Sequence, residues 1–202
     1  MAVKRYESPG AFRQAVEARL RSASTSGSGL ARRRQLLVFD RFLARIVQVM
    51  GDTVVLKGGL ALELRLRRAR TTKDIDLRAV GTAGDILPKL QQAGRLDLLD
   101  FLTFEVQVDD EHPDIKAEGM VYQGLRFRSV ARLAGKLFGQ PFGVDVTFAD
   151  PMVSVPDAIA CENVLAFAGI VAPTILVYPV ETHIAEKLHA LTLPRRHPTS
   201  RG

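Results

Sequence analysis

Between Thr53 and Leu77 the chain reads TVVLKGGLALELRLRRARTTKDIDL, and this stretch restricts the possible fold more than any other. An apolar, β-branched run (Val54, Val55, Leu56) reaches the pair Gly58-Gly59. A helical pattern follows, and Asp74-Ile75-Asp76 then opens a second extended run. A buried strand, a glycine turn and a helix start form an anion site, because the first N–H groups of a helix have no internal partner. Glycines let the backbone approach a phosphate closely. Side chains alternate along an extended segment, so Asp74 and Asp76 share one face while Ile75 turns to the core. Two close carboxylates repel unless a cation lies between them. Hard oxygens suit Mg²⁺, which takes one or two carboxylates together with the oxygens of a substrate's phosphates. Taken alone, Gly-Gly reads as a plain turn and Asp-x-Asp as a solvated strand end or a helix cap. Together, about fifteen residues apart, they describe a site for a nucleoside triphosphate.

The combination resembles the nucleotidyltransferase superfamily, in which a Gly-Gly or Gly-Ser before a helix precedes an Asp-x-Asp or Asp-x-Glu metal pair. The fuller string, Lys57 to Leu62 followed by Arg70-Thr71-Thr72-Lys73-Asp74-Ile75-Asp76-Leu77, resembles the AbiEii/AbiGii toxin family, which includes the MenT-type toxins of type IV toxin–antitoxin systems. The resemblance implies a Mg²⁺-dependent enzyme that moves a nucleotide from a nucleoside triphosphate to an RNA acceptor, the tRNA 3′ end. Translation would then be blocked unless a cognate antitoxin intervenes. It further implies that Asp74 and Asp76 hold the metal and that Gly58, Gly59, Lys57 and Thr72 line the nucleotide. A third carboxylate is expected on a neighbouring strand. Asp145, in the alternating segment Phe142 to Phe148, is the candidate, as metal ligand or as proton acceptor for the attacking hydroxyl. An Asp on the exposed face of an edge strand is the alternative. Glu186-Lys187-Leu188-His189-Ala190 resembles the family's helical Glu-Lys-x-x-Ala segment, which assigns Lys187 to the triphosphate. A small-molecule hydroxyl is the second acceptor class. In the family a later helix carries a further acid that the given sequence does not show. That keeps open a third reading, a catalytically inactive module that binds an antitoxin or nucleic acid.

The remaining readings narrow the class. At 202 residues the chain holds one well-cored domain, or a core at 1–150 with a helical lobe at 151–202. It has no apolar run of the roughly 20 residues that cross a bilayer and no apolar signal core, so a cytoplasmic, non-membrane protein is expected. A single cysteine, Cys161, agrees with a reducing compartment. Net charge +6 and pI about 9.8 favour a polyanionic partner, with Arg65, Arg67, Arg68, Arg70, Arg78 and Lys73 as candidates for an RNA backbone.

Periodicity predicts helices over 11–22, 30–50, 59–68, 81–94, 159–168 and 180–191. Strands are expected over 101–108, 121–122, 125–133, 142–148 and 171–177. Residues 22–29 read as a mobile Ser/Gly linker, Arg32 to Arg34 as a solvated helix end, and 109–114 as a solvated loop. Val180, Ile184, Leu188 and Leu191 make one helical stripe expected to dock the last helix. His183 and His189, six apart, do not share a ligand face. The expected fold class is α+β: a small mixed sheet carrying the acids, flanked by helices, with a helical C-terminal lobe.

Overall fold

The structure, a computed structural model, describes residues 6–66, 72–113, 115, 124–148, 152 and 154–192. Helix α1 (Pro9–Ser22) starts at Ser8, whose Oγ accepts the Ala11 N–H at 3.4 Å. Its Phe12, Val16 and Leu20 are buried at helical spacing. Helix α2 (Gly27–Met50) starts at Ser26, whose Oγ accepts the Gly29 N–H at 3.1 Å. The expected mobile linker therefore shrinks to 23–26, because its serine and glycine residues are spent on ending one helix and capping the next.

The rest of the order is β1 (Val54–Lys57), α3 (Gly58–Arg65), β2 (Ile75–Ala79), α4 (Ala83–Arg95), β3 (Leu102–Val108), β4 (Gly124–Leu133), β5 (Lys136–Leu137), β6 (Phe142–Phe148), β7 (Asp157–Ala160), β8 (Thr174–Val177) and α5 (Val180–Thr192). The strands form one mixed sheet ordered β3-β4-β6-β2-β1-β8-β7, with β5 paired to β4. An α+β fold with a mixed sheet between helices is thus confirmed. Ile75, Leu77, Ala79, Val144 and Val146 turn one sheet face inward. Helix α2 packs on it: the Phe39 and Phe42 rings lie 5.2 and 5.5 Å from that of Phe142.

Two sequence expectations fail in the last third. Residues 159–168 are not a helix. Asp157 to Ala160 pair antiparallel with β8, and only a 3₁₀ turn forms at Ala166–Ala168. Short apolar runs suit either state, and here the exposed edge of β8 supplies a partner that single-sequence periodicity cannot see. The stripe on α5 also faces the wrong way for docking: Val180, Ile184, Leu188 and Leu191 are 42–70% exposed. The helix instead presents Thr182, His183 and Glu186 inward.

A polar cluster that the sequence did not suggest ties α2 to the turn before β3. Asp100, fully buried, accepts from Arg45 Nη2 at 2.6 Å and from Arg41 Nε at 2.8 Å. Arg45 also donates to the carbonyls of Leu96 and Leu102. Three charged groups are burial-compatible here because each finds its counter-charge and its hydrogen bonds.

Candidate active site

The acids come together through register. Strands β1 and β2 pair antiparallel with Lys57 opposite Asp76. Strands β2 and β6 pair parallel with Asp76 opposite Asp145. Strands β6 and β4 pair antiparallel with Asp145 opposite Arg126. One level of the sheet therefore reads Arg126, Asp145, Asp76, Lys57, a cation at each end and two carboxylates in the middle. Directly opposed like charges repel, so the acid pair depends on the flanking cations. Asp145 lies on a central strand between β4 and β2, not on an edge.

Asp76 is packed onto the glycine pair. Gly58 has φ +67°, and a β-carbon there would stand 1.8 Å from Asp76 Oδ2. The neighbouring Gly59 N–H donates to the Asp76 carboxylate. Burial pushes the Asp76 carboxyl up to about 6, and the nearby Asp145 charge adds to this. Lys57 and the Gly59 N–H pull the other way. Asp74 stands at the exposed end of β2, where its Oδ1 accepts the Gly143 N–H at 3.1 Å. That approach needs glycine, since a β-carbon at 143 would lie 2.8 Å from the same oxygen. Thr72 rests against Gly59, and its hydroxyl donates to the Asp74 carbonyl at 3.2 Å. Arg32 fastens this segment by donating to the Thr72 carbonyl at 3.1 Å and to Glu63 at 2.8 Å. With Arg34 donating to Glu17 at 3.0 and 2.8 Å, the helix start expected to be solvated is a set of fixed ion pairs.

The cations divide into held and open ones. Arg126 donates Nε and Nη2 to the two Asp145 oxygens, both at 2.7 Å. Lys57 is buried, its Nζ 3.6 Å from Glu186 Oε1 and 5.7 Å from the centre of the Tyr178 ring, so it links β1 to α5. Arg65 is engaged by Asp157 and by the Tyr178 carbonyl, which removes it from the group expected to be available to RNA. Arg67, Arg68 and Arg70 lie outside the described residues. Lys187 is exposed on α5 and makes no ion pair among the described residues. Beside it His183 is buried, its pKa lowered first by burial and then by Lys187, Arg65 and Lys57, so it stays a neutral imidazole at neutral pH. Arg126 and Glu186 were not singled out from the sequence. Arg126 alternates with Leu125 and Phe127 along a strand, and that acid-facing parity was its only available signal.

The donor set is hard: carboxylate oxygens at 74, 76 and 145, with no cysteine or histidine among them. Such a set fits Mg²⁺, and the raised pKa of Asp76 marks a buried carboxylate short of positive charge. Among the described residues no three His, Cys, Asp or Glu side chains come together closely enough to hold a metal ion by themselves. Mg²⁺ seldom uses an all-protein cage, because it keeps substrate phosphates and water in its shell.

Comparison with known proteins bears on the family and the fold. No curated protein sequence matches the chain. Among solved structures the fold is similar to that of MenT4, a nucleotidyltransferase toxin of Mycobacterium tuberculosis H37Rv, with TM-score 0.61 and 18% identity over 88% of this chain. The chain spans 58% of that toxin's length. A protein of Helicobacter pylori, JHP933, matches at TM-score 0.47 and 16% identity, covering 76% of this chain and 56% of its own. The family described as nucleotidyl transferase AbiEii toxin, type IV TA system, matches residues 41–202, a span that contains both glycines, all three aspartates and Lys187. By that match over most of its length, the chain belongs to the AbiEii nucleotidyl transferase toxin family of type IV toxin–antitoxin systems.

Proposed function

We propose that the chain transfers a nucleotidyl group from a nucleoside triphosphate to a hydroxyl on RNA, the tRNA 3′ end, and acts as a cytoplasmic toxin restrained by a cognate antitoxin. The observation that carries this reading is the in-register row of Arg126, Asp145, Asp76 and Lys57, with Asp74 at the exposed end of β2. Family membership supports the chemistry, and no helix among the described residues is long and apolar enough to cross a membrane.

Asp74 and Asp76 would hold Mg²⁺ together with the triphosphate, and Asp145 would complete the set. When bound, the ion offsets charge developing on the phosphates and aligns them for in-line transfer. Gly59 directs its N–H at Asp76, which keeps that carboxylate aimed along the first turn of α3. The other N–H groups of that turn, starting at Gly58, are the backbone donors for phosphate oxygens, with Thr72 and Lys57 at their margin. Asp145 is the acceptor for the proton of the attacking hydroxyl. Lys187, exposed on α5, supplies a mobile point charge to the triphosphate.

Asp74→Asn separates chemistry from folding. The amide Oδ1 can still accept the Gly143 N–H, and the residue is exposed, so the fold should persist. Wild type and variant are incubated with total tRNA and each of the four radiolabelled triphosphates. Label entering tRNA with wild type only is expected. Equal labelling by the variant sinks the site assignment, and label on a small molecule but never on tRNA sinks the RNA acceptor.

A further inference from the structure

We propose that Arg126 is a positioning residue that closes the third carboxylate: it competes with the metal for Asp145, and once displaced its guanidinium is free to take a phosphate of the bound nucleotide. The inference rests on the function proposed above, since it concerns the same carboxylates.

The pair is built to be both specific and reversible. Arg126 and Asp145 are direct partners across the β4–β6 ladder, and the guanidinium grips both carboxylate oxygens at 2.7 Å. This two-point geometry matches the planar fork of arginine and satisfies the carboxylate as a cation would. Without it Asp145 would face Asp76 directly across the β2–β6 ladder, with only Lys57 and the Gly59 N–H on the far side of Asp76 to offset the repulsion. An ion entering between the acids supplies that charge itself, and a metal and a guanidinium cannot both take the same lone pairs of Asp145.

The structure also gives the displaced side chain somewhere to go. The backbone of Arg126 is fixed by both of its polar groups, its N–H donating to the Pro113 carbonyl at 2.9 Å and its carbonyl accepting the Asp109 N–H at 3.1 Å. The side chain is 38% exposed, against 16% for Asp145. Rotation about the side-chain bonds therefore moves the guanidinium into solvent while the strand stays still. The charges of Asp74 and Asp109 also favour the guanidinium, so Asp145 is not the sole acid that attracts it. A triphosphate arriving at the site meets a fork-shaped cation that matches phosphate geometry.

The test measures metal binding, not turnover. Free Mn²⁺ is followed by electron paramagnetic resonance as it is titrated into nucleotide-free wild type, Arg126→Gln, Arg126→Lys and a control, Arg132→Gln, whose partner is Glu105 on β3. A metal must break this charge-assisted two-point contact to reach Asp145, so removing the guanidinium should tighten Mn²⁺ binding about tenfold or more in Arg126→Gln. Arg126→Lys, which keeps the charge but loses the fork, should fall between, and Arg132→Gln should match wild type. The dissociation constant of ATP, GTP, CTP or UTP with Mg²⁺, whichever binds, should rise in Arg126→Gln. Equal or weaker Mn²⁺ affinity in both Arg126 variants overturns this inference and leaves the proposed function standing. Absence of Mn²⁺ binding by every nucleotide-free protein, wild type included, overturns this inference, and its absence with triphosphate present as well overturns both. If Arg126→Gln does not fold, Arg126→Lys against wild type decides the matter by the same criterion.

Discussion

Gly58 and Asp76 interlock: the glycine's missing side chain is the space that the aspartate's carboxylate occupies, with the nearest oxygen 1.8 Å from where a β-carbon would sit. Asp76 and the glycine turn are therefore one structural unit, and a side chain added at Gly58 must displace the carboxylate.

Gly58→Ala should accordingly damage both fold and site. A left-handed φ of +67° strains alanine by about 1–2 kcal/mol, and the clash forces Asp76 out of the row. Loss of triphosphate labelling together with a lower urea midpoint is the expected result. Gly84→Ala is the contrast, because it lies inside α4 with nothing within 4 Å of the added carbon. It should be neutral or stabilise by roughly 0.5–1 kcal/mol. Similar midpoints for the two variants would contradict the interlock.

Asp100→Asn should be the most destabilising isosteric change in the chain. Arg41 and Arg45, 3% and 0% exposed, share this carboxylate, and neutralising it leaves Arg45 without a counter-charge and Arg41 with only Asp40, 3.9 Å away. A loss of roughly 3–5 kcal/mol is expected by urea denaturation, or failure to accumulate folded protein. A loss under about 1 kcal/mol would mean the pair is solvated.

Asp40 should contribute a fall in stability as pH rises between about 4 and 6, against the rise that the buried His183 contributes over the histidine range. Burial raises the Asp40 pKa to about 6, aided by Asp100 and Glu162, while Arg41 and the Cys161 thiol act in the opposite sense. The folded chain keeps this proton to higher pH than the unfolded chain does. The stabilisation is complete below the unfolded pKa and is lost as pH passes about 6. Asp76, raised to about 6 as well, contributes with the same sign. Asp40→Asn should gain roughly 1–3 kcal/mol over wild type near neutral pH and little near pH 4. A difference that stays constant across the range would rule out the titration.

Lys187→Ala should weaken nucleotide use and leave the fold alone. The side chain is exposed, alanine favours helices, and midpoints should agree within about 0.5 kcal/mol. The KM for the triphosphate should rise, or kcat fall, by the equivalent of roughly 2 kcal/mol in kcat/KM. Unchanged kinetics at limiting triphosphate would make this an ordinary surface lysine.

Local pattern carried the elements whose identity depends on their own residues. The β-branched run at 54–56, the glycine turn, the alternation of 142–148 and the stripe of α2 each state their conformation in side-chain chemistry, and all formed as expected. Asp74 and Asp76 were legible as a pair because alternation on one strand places them. Three things were decided only by tertiary structure. The partner of Asp145 depends on which strand lies beside β6 and in what register, and a strand's own sequence contains neither. Residues 157–160 became a strand because the edge of β8 offered unpaired backbone groups, which outweighed a weak helical pattern. The inward face of α5 is set by the ion pair of Lys57 with Glu186 and by burial of Thr182 and His183, so hydrophobic periodicity pointed to the opposite side. Periodicity records which residues share a face. What that face meets is settled by elements distant in sequence, and here they brought charge to charge.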